Sequence, residues 1–397
     1  MAETRKASRY VVPLAVAGVA AATIGLVPAL AASGDPDLPE ITAQQLIEKI
    51  AASDTQTLSG TFKVTTDLGL PSVAGLADSF AGGSASGGSS SLDPQERLTQ
   101  LVSGTHTLRV AADGPEKQKL TIVDGSDEYS LIHNGDDVWA YDSASNEVFH
   151  EKGDASGRPA EEKGELPGTP KELADEVLKA AGDTTSITVG GTAKVAGRDA
   201  YQLVVKPKQS GSTVESVKIA VDAKTGTPLK FTLASVEGGK PVLDAGFTKV
   251  DFARPAASTF DFKAPKGAKV TEGSEGADGA EHGKAPEDLE KEFDGLFGGM
   301  LPGAGAGGAG AEGMNVIGEG WTAIAKIDTG APAPKTGEAP KEFQGFLDAL
   351  GDKVSGKFGS GTVFKTKLVN ALMTDDGKVY VGAVTKQALV DAANAGK

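Results

Sequence analysis

From Thr61 onward, apolar and polar residues alternate in short runs, the period of strands that show alternate side chains to opposite faces. Phe62 and Val64 alternate with Thr61, Lys63 and Thr65, and Leu108 and Val110 with Thr107 and Arg109. Leu120 and Ile122, then Tyr129 and Leu131, continue the pattern. Turn residues punctuate these runs. Gly135-Asp136-Asp137 precedes Val138-Trp139-Ala140-Tyr141, Asp142 to Asn146 precedes Val148-Phe149, and Gly197-Arg198-Asp199 separates Ile187-Thr188-Val189 from Tyr201, Leu203 and Val205. Val217, Ile219 and Val221 share a face, and Asp222 to Gly226 closes a hairpin into Leu229, Phe231 and Leu233. With Phe247 to Phe252, the pattern predicts roughly ten strands in this region.

Two helices accompany them. Leu46, Ile47 and Ile50 give the first an apolar stripe, Ile41, Gln45, Glu48 and Ala52 share another face, and Thr42 is its N-cap. The second is predicted from Pro170 to Ala181. So many meandering strands with so few helices predict a mainly β fold with some α: a strongly curved antiparallel sheet, or incomplete β-barrel, covered by helices on its concave side. A small α/β unit follows. Its predicted strands include Trp321-Thr322-Ala323-Ile324, Val363 to Lys367 and Val379-Tyr380-Val381, with Asp375-Asp376-Gly377 as a hairpin turn. Phe343, Phe346, Leu347 and Leu350 form the apolar face of one helix, and Thr385 caps another that runs to Ala395.

Composition sets the expected boundaries. Arg5, Lys6 and Arg9 precede an uncharged stretch from Val11 to Ala32, so residues 1–32 read as a signal peptide cut after Ala29-Leu30-Ala31 or as an N-terminal membrane anchor; either places the remainder outside the cytoplasm. Residues 40–270 form the curved-sheet domain, with a Gly/Ser-rich insertion at 80–92 expected to be flexible. Residues 271–315 are an acidic, Gly-rich linker holding a short amphipathic stretch from Glu287 to Phe297, and 316–395 are the α/β unit. The absence of Cys excludes disulfides, thiolate metal sites and lipidation at a new N-terminal Cys.

The formal net charge of −15 argues against nucleic-acid binding. Catalytic signals are poor. His106, His133, His150 and His282 are widely separated, and none has a Ser or Thr nucleophile and an acid in a recognisable motif. Asp136-Asp137 and Asp375-Asp376 read as turn residues, and the tract from Gly303 to Glu312 lacks the Lys-Ser/Thr ending of a phosphate loop. No enzyme activity and no cofactor are expected.

Several motifs, in order, resemble the periplasmic lipoprotein-carrier superfamily of LolA, LolB and the envelope-stress sensor RseB. They are Leu58-Ser59-Gly60-Thr61-Phe62, Val138-Trp139-Ala140-Tyr141-Asp142, the run from Val195 to Leu203, the hairpin from Val221 to Leu229, and Phe260-Asp261-Phe262-Lys263-Ala264-Pro265. The resemblance covers about residues 40 to 270 and extends to an RseB-type second domain. The chain departs from RseB in its long linker and in the insertion at 80–92. Arg198 is assigned to its turn and not to any family role.

The resemblance implies an extracytoplasmic carrier or sensor of a lipid, lipoprotein or other hydrophobic ligand. The alternative is a non-enzymatic interaction scaffold for a membrane regulator such as an anti-sigma factor. Expected partners are therefore lipid or lipoprotein acyl chains, or a membrane regulatory protein. Phe62, Leu108, Leu120, Leu131, Leu203, Val217 and Phe231 are the candidates for the sheet's inner side, and Trp139 and Tyr141 for a cavity rim where amphipathic rings meet chain and headgroup.

Overall fold

The computed structural model describes residues 35–69, 101, 104–152, 178–179, 181–273, 314–328 and 351–396. The N-terminal segment, the insertion at 80–92, the tract from 298 to 312, the 287–297 stretch and the helix expected around Phe343 to Leu350 lie outside them. So does the helix from Pro170 to Ala181, apart from Leu178, Lys179 and Ala181, which are helical.

Helix α1 (Ala43–Ala51) starts with a reciprocal cap: Gln45 N–H donates to Thr42 Oγ1, and Thr42 N–H to Gln45 Oε1. Behind it runs a large sheet. Strand β1 (Thr57–Thr66) is followed by a meander of β2 (Gly104–Asp113), β3 (Lys117–Asp124), β4 (Asp127–Asn134), β5 (Asp137–Asp142) and β6 (Glu147–Lys152). A second meander comprises β7 (Thr185–Val195), β8 (Arg198–Pro207), β9 (Val214–Asp222), β10 (Pro228–Ser235) and β11 (Leu243–Asp251), and β12 (Lys269–Gly273) comes last. Their spatial order is β12-β6-β5-β4-β3-β2-β1-β11-β10-β9-β8-β7. β1 therefore joins the two meanders, pairing with β2 on one side and β11 on the other. Every pairing is antiparallel except that of β12 with β6.

The sheet is curved and does not close, since β7 and β12 stand at opposite edges. Cα atoms of β7 and β11 come within 8 Å of each other although β8, β9 and β10 lie between them. A flat sheet would hold those strands four spacings apart, roughly 19 Å. Bulges at Gly190-Gly191 and beside Phe62 help the bend. Leu46 and Ile47 of α1 pack on Tyr201, Leu203, Ile219 and Val221, so α1 covers the β8–β9 part of one face.

The small sheet has six strands, three beyond those named from the sequence: β13 (Met314–Ile317), β14 (Ile324–Asp328), β15 (Gly351–Gly356), β16 (Gly359–Phe364), β17 (Asn370–Thr374) and β18 (Lys378–Gly382), in the order β13-β14-β18-β17-β16-β15. Helix α2 (Lys386–Ala395), capped by Thr385, buries Leu389, Ala392 and Ala393 against it. Trp321-Thr322 belongs to a 3₁₀ turn, not to a strand. Gly318 and Gly320 hold positive φ on either side of Glu319, and Gln209 Oε1 accepts the Trp321 N–H, so the strand begins only at Ile324. β16 likewise stops at Phe364, before the expected Lys367.

Candidate functional site

Register assigns the faces. Leu131 is opposite Leu120, Leu120 opposite Val110 and Leu108 opposite Phe62, while Val64 leads through Ala245, Phe231 and Ile219 to Leu203. Seven of the nine candidates, Phe62, Leu108, Leu120, Leu131, Leu203, Val217 and Phe231, therefore share one face. Trp139 and Tyr141 do not join them. Their neighbour Ala140 is opposite Leu131, so both rings project from the other face.

The shared face is built in rows. In the first, Phe247, Phe62, Leu108, Ile122 and Tyr129 are consecutive cross-strand partners and all are buried. Phe62 and Phe247 meet edge to face at 5.9 Å. Gly60 is required beside them, because a Cβ there would stand 2.8 Å from the Phe247 ring and 2.5 Å from Lys249 O.

The next row runs Val250, Gly60, Val110, Leu120, Leu131, Ala140 and Phe149 across β11, β1, β2, β3, β4, β5 and β6. All are apolar, and Val110, Leu120, Leu131, Phe149 and Val250 remain only partly buried against the core. Six strand spacings make the row about 29 Å long. Beyond it the next row runs Leu58, Ala112, Gln118, His133, Val138 and Glu151, apolar over β1 and β2 and mostly polar over β3 to β6. Val110, Phe149 and Val250 were absent from the candidate set because alternation within a strand does not reveal which residues line up across strands.

On the opposite face the segment between β11 and β12 crosses the sheet. Phe260 is buried, and Phe262 lies 5.3 Å from Trp139 and 5.7 Å from Tyr141, ring centre to ring centre. Trp139 also stacks on His150 at 3.6 Å with 9° between the planes. The His150 ring nitrogens reach Glu272 Oε2 at 2.6 Å and Asp137 Oδ1 at 2.8 Å, which ties β12 to the sheet. The two aromatic rings thus hold a covalent strap in place and do not form a rim to the apolar row.

Arg198 does more than solvate its turn. Its guanidinium grips the carboxylate of Asp222, which is 1% exposed, through Nε and through Nη2 at 3.1 Å, and lies 4.6 Å over the Phe252 ring. Asp222 Oδ1 also accepts the backbone N–H groups of Lys224 and Thr225 at 2.9 and 2.8 Å and the Thr225 hydroxyl at 3.0 Å. Burial alone pushes this carboxyl up, but the Arg198 and backbone hydrogen bonds outweigh it and hold it below the ordinary carboxylate range. The same turn abuts α1: Gly226, at φ +76°, faces Lys49 O, and Thr55 and Thr227 hydroxyls meet at 2.7 Å.

Among the described residues there is no group of three or more His, Cys, Asp or Glu side chains placed to hold a metal, and no helix is long and apolar enough to cross a membrane. What the face can do chemically is bury an elongated apolar surface.

No protein-family model matches the chain, and no curated protein sequence does. Solved structures are similar at low identity. MucB of Pseudomonas aeruginosa, in complex with MucA, matches over 88% of this chain and 96% of its own at 16% identity and a TM-score of 0.37. An uncharacterized conserved protein from Thermus thermophilus matches over 58% and 98% at 11% identity and 0.30. A LolA superfamily protein from Nitrosomonas europaea matches over 56% and 99% at 12% identity and 0.21. These likenesses concern the fold alone.

Proposed function

We propose that the protein is an extracytoplasmic, non-enzymatic carrier or sensor of a lipid, lipoprotein or other hydrophobic ligand, which lies across the strands along the partly buried apolar row. The observation that supports this reading is the continuity of the row. Seven apolar positions align over about 29 Å, and five of them keep exposed surface beside a buried layer. A hydrocarbon chain spanning one leaflet covers about half of a 30 Å bilayer core, so the row is long enough to receive one. Each methylene removed from water contributes about 0.8 kcal/mol, and no reactive group is needed.

The test is binding of BODIPY-labelled palmitate to the full chain, to Leu120→Asp and to Lys119→Asp. Leu120 and Lys119 are adjacent but face opposite sides, so the first carboxylate enters the row and the second does not. Expected are saturable binding by wild type and Lys119→Asp, weakened binding by a folded Leu120→Asp, and little response to ionic strength. Equal binding by both variants would move the ligand elsewhere. Absence of binding across several lipid classes would leave the interaction-scaffold reading ahead.

A further inference from the structure

The loops joining the small sheet to the large one touch the same apolar face. Val217 and Phe231 belong to that face and also pack on a junction formed by Val214 and Leu233 of the large sheet and Val242 just before β11 with Leu368 and Ala383 beside the small one. Phe231 also packs against both the central core and the α1 cluster.

The junction is closed by backbone as well as side chains. Thr213 N–H donates to Ala383 O at 2.9 Å, Thr385 N–H to Gly211 O at 2.8 Å, and Lys367 N–H to Leu68 O at 2.9 Å. The Ser235 hydroxyl donates to Lys367 O at 2.5 Å, and the Lys367 ammonium lies 2.6 Å from Asp67 Oδ2. On the other flank the Trp321 indole N–H donates to Thr185 Oγ1 at 2.7 Å.

Undocking would strip cover from Val217 and Phe231 and leave that end of the face without its wall. A ligand that extends from the row across β10 and β9 to Phe231 and Val217 therefore has more affinity for the docked arrangement, and docking must favour that ligand by the same factor. We propose that occupation of the apolar face and docking of the small sheet are positively coupled, so that the small sheet senses whether the face is filled. This rests on the face being a ligand site.

Hydrogen exchange on the full chain, with and without saturating BODIPY-labelled palmitate, tests the coupling at the Thr213, Lys367 and Thr385 amides. The Asp375 amide, bonded to Ser360 O within the small sheet at 2.9 Å, is the control for general stabilisation by a ligand. The expected result is slowing at the three junction amides that exceeds the control by about fivefold or more. Lys367→Ala, which keeps the backbone N–H but loses the ion pair, should lower probe affinity; if that variant does not fold, the wild-type exchange comparison decides alone. Saturable binding with junction rates tracking the control overturns the coupling and leaves a carrier. No binding by the folded chain overturns the ligand-site reading and the coupling with it.

Discussion

Replacing Arg198 with Ala would leave the Asp222 carboxylate in a site where it is 1% exposed, without its cation. Removing one partner of a buried pair typically costs about 3 to 5 kcal/mol. Two features reduce that here: Arg198 is 28% exposed, and three donors from Lys224 and Thr225 still reach Asp222. A cost of about 2 to 3 kcal/mol follows for the carboxylate, and loss of the cation over Phe252 adds about 0.5 to 1 kcal/mol. Arg198→Lys, which keeps the charge but not the two-point grip, should fall between wild type and Ala.

Urea unfolding followed by circular dichroism and by tryptophan fluorescence measures this, coincident transitions indicating a single cooperative event. Asp222 is held below its ordinary value when folded, so its contribution is complete above the unfolded pKa and is lost as pH falls through the folded one. The difference between wild type and Arg198→Ala should accordingly be largest near neutrality and narrow in acid. A cost below about 1 kcal/mol at neutral pH, or a difference that grows on acidification, would refute the buried-pair argument.

Gly226→Ala adds a Cβ that would stand 2.2 Å from Lys49 O at a positive φ, so α1 must shift; the expected loss exceeds about 2 kcal/mol, read by thermal unfolding. The hydrogen bond from Lys367, with a second from the Gly69 N–H, holds Asp67 below the ordinary carboxylate range, so this ion pair's support for docking is present at neutral pH and lost as pH falls through the depressed value. Exchange at the Lys367 amide, referred to that at Asp375, should quicken over that acid range, and Asp67→Asn should abolish the change. Phe262→Ala should loosen β12 through Trp139 and Tyr141, observable as faster exchange across Lys269–Gly273 with the β2–β3 amides unaffected.

The strands were legible because each carries its own signal: Phe62 and Val64, or Val217, Ile219 and Val221, alternate whatever their neighbours do. The faces were partly legible, and seven apolar candidates do share one. Trp139 and Tyr141 were misplaced because nothing in Val138-Trp139-Ala140-Tyr141 says which face the crossing segment will cover. That information resides in Phe262, more than a hundred residues later. In the second region Met314–Ile317, Gly351–Gly356 and Asn370–Thr374 were not among the strands named, because runs of four to six residues are too short to show a period. Strand β12 straddles the expected boundary at residue 270, since its place depends on His150 and Glu147 of another strand, not on its own sequence.

The position of β1 between the two meanders has a consequence for biogenesis. Thr61 and Thr248, hydrogen-bonded across β1 and β11, are 187 residues apart. At common rates of synthesis roughly 10 to 40 s pass between their departures from the ribosome. During that interval one long edge of β1 has no strand to pair with, while Phe62 waits for Phe247. A nascent chain in that condition presents unpaired backbone beside aromatic surface, which invites pairing with other chains. Cellular yield should therefore depend on protection of this half-made intermediate, and variants that delay the arrival of β11 should aggregate even where the finished fold is unaltered.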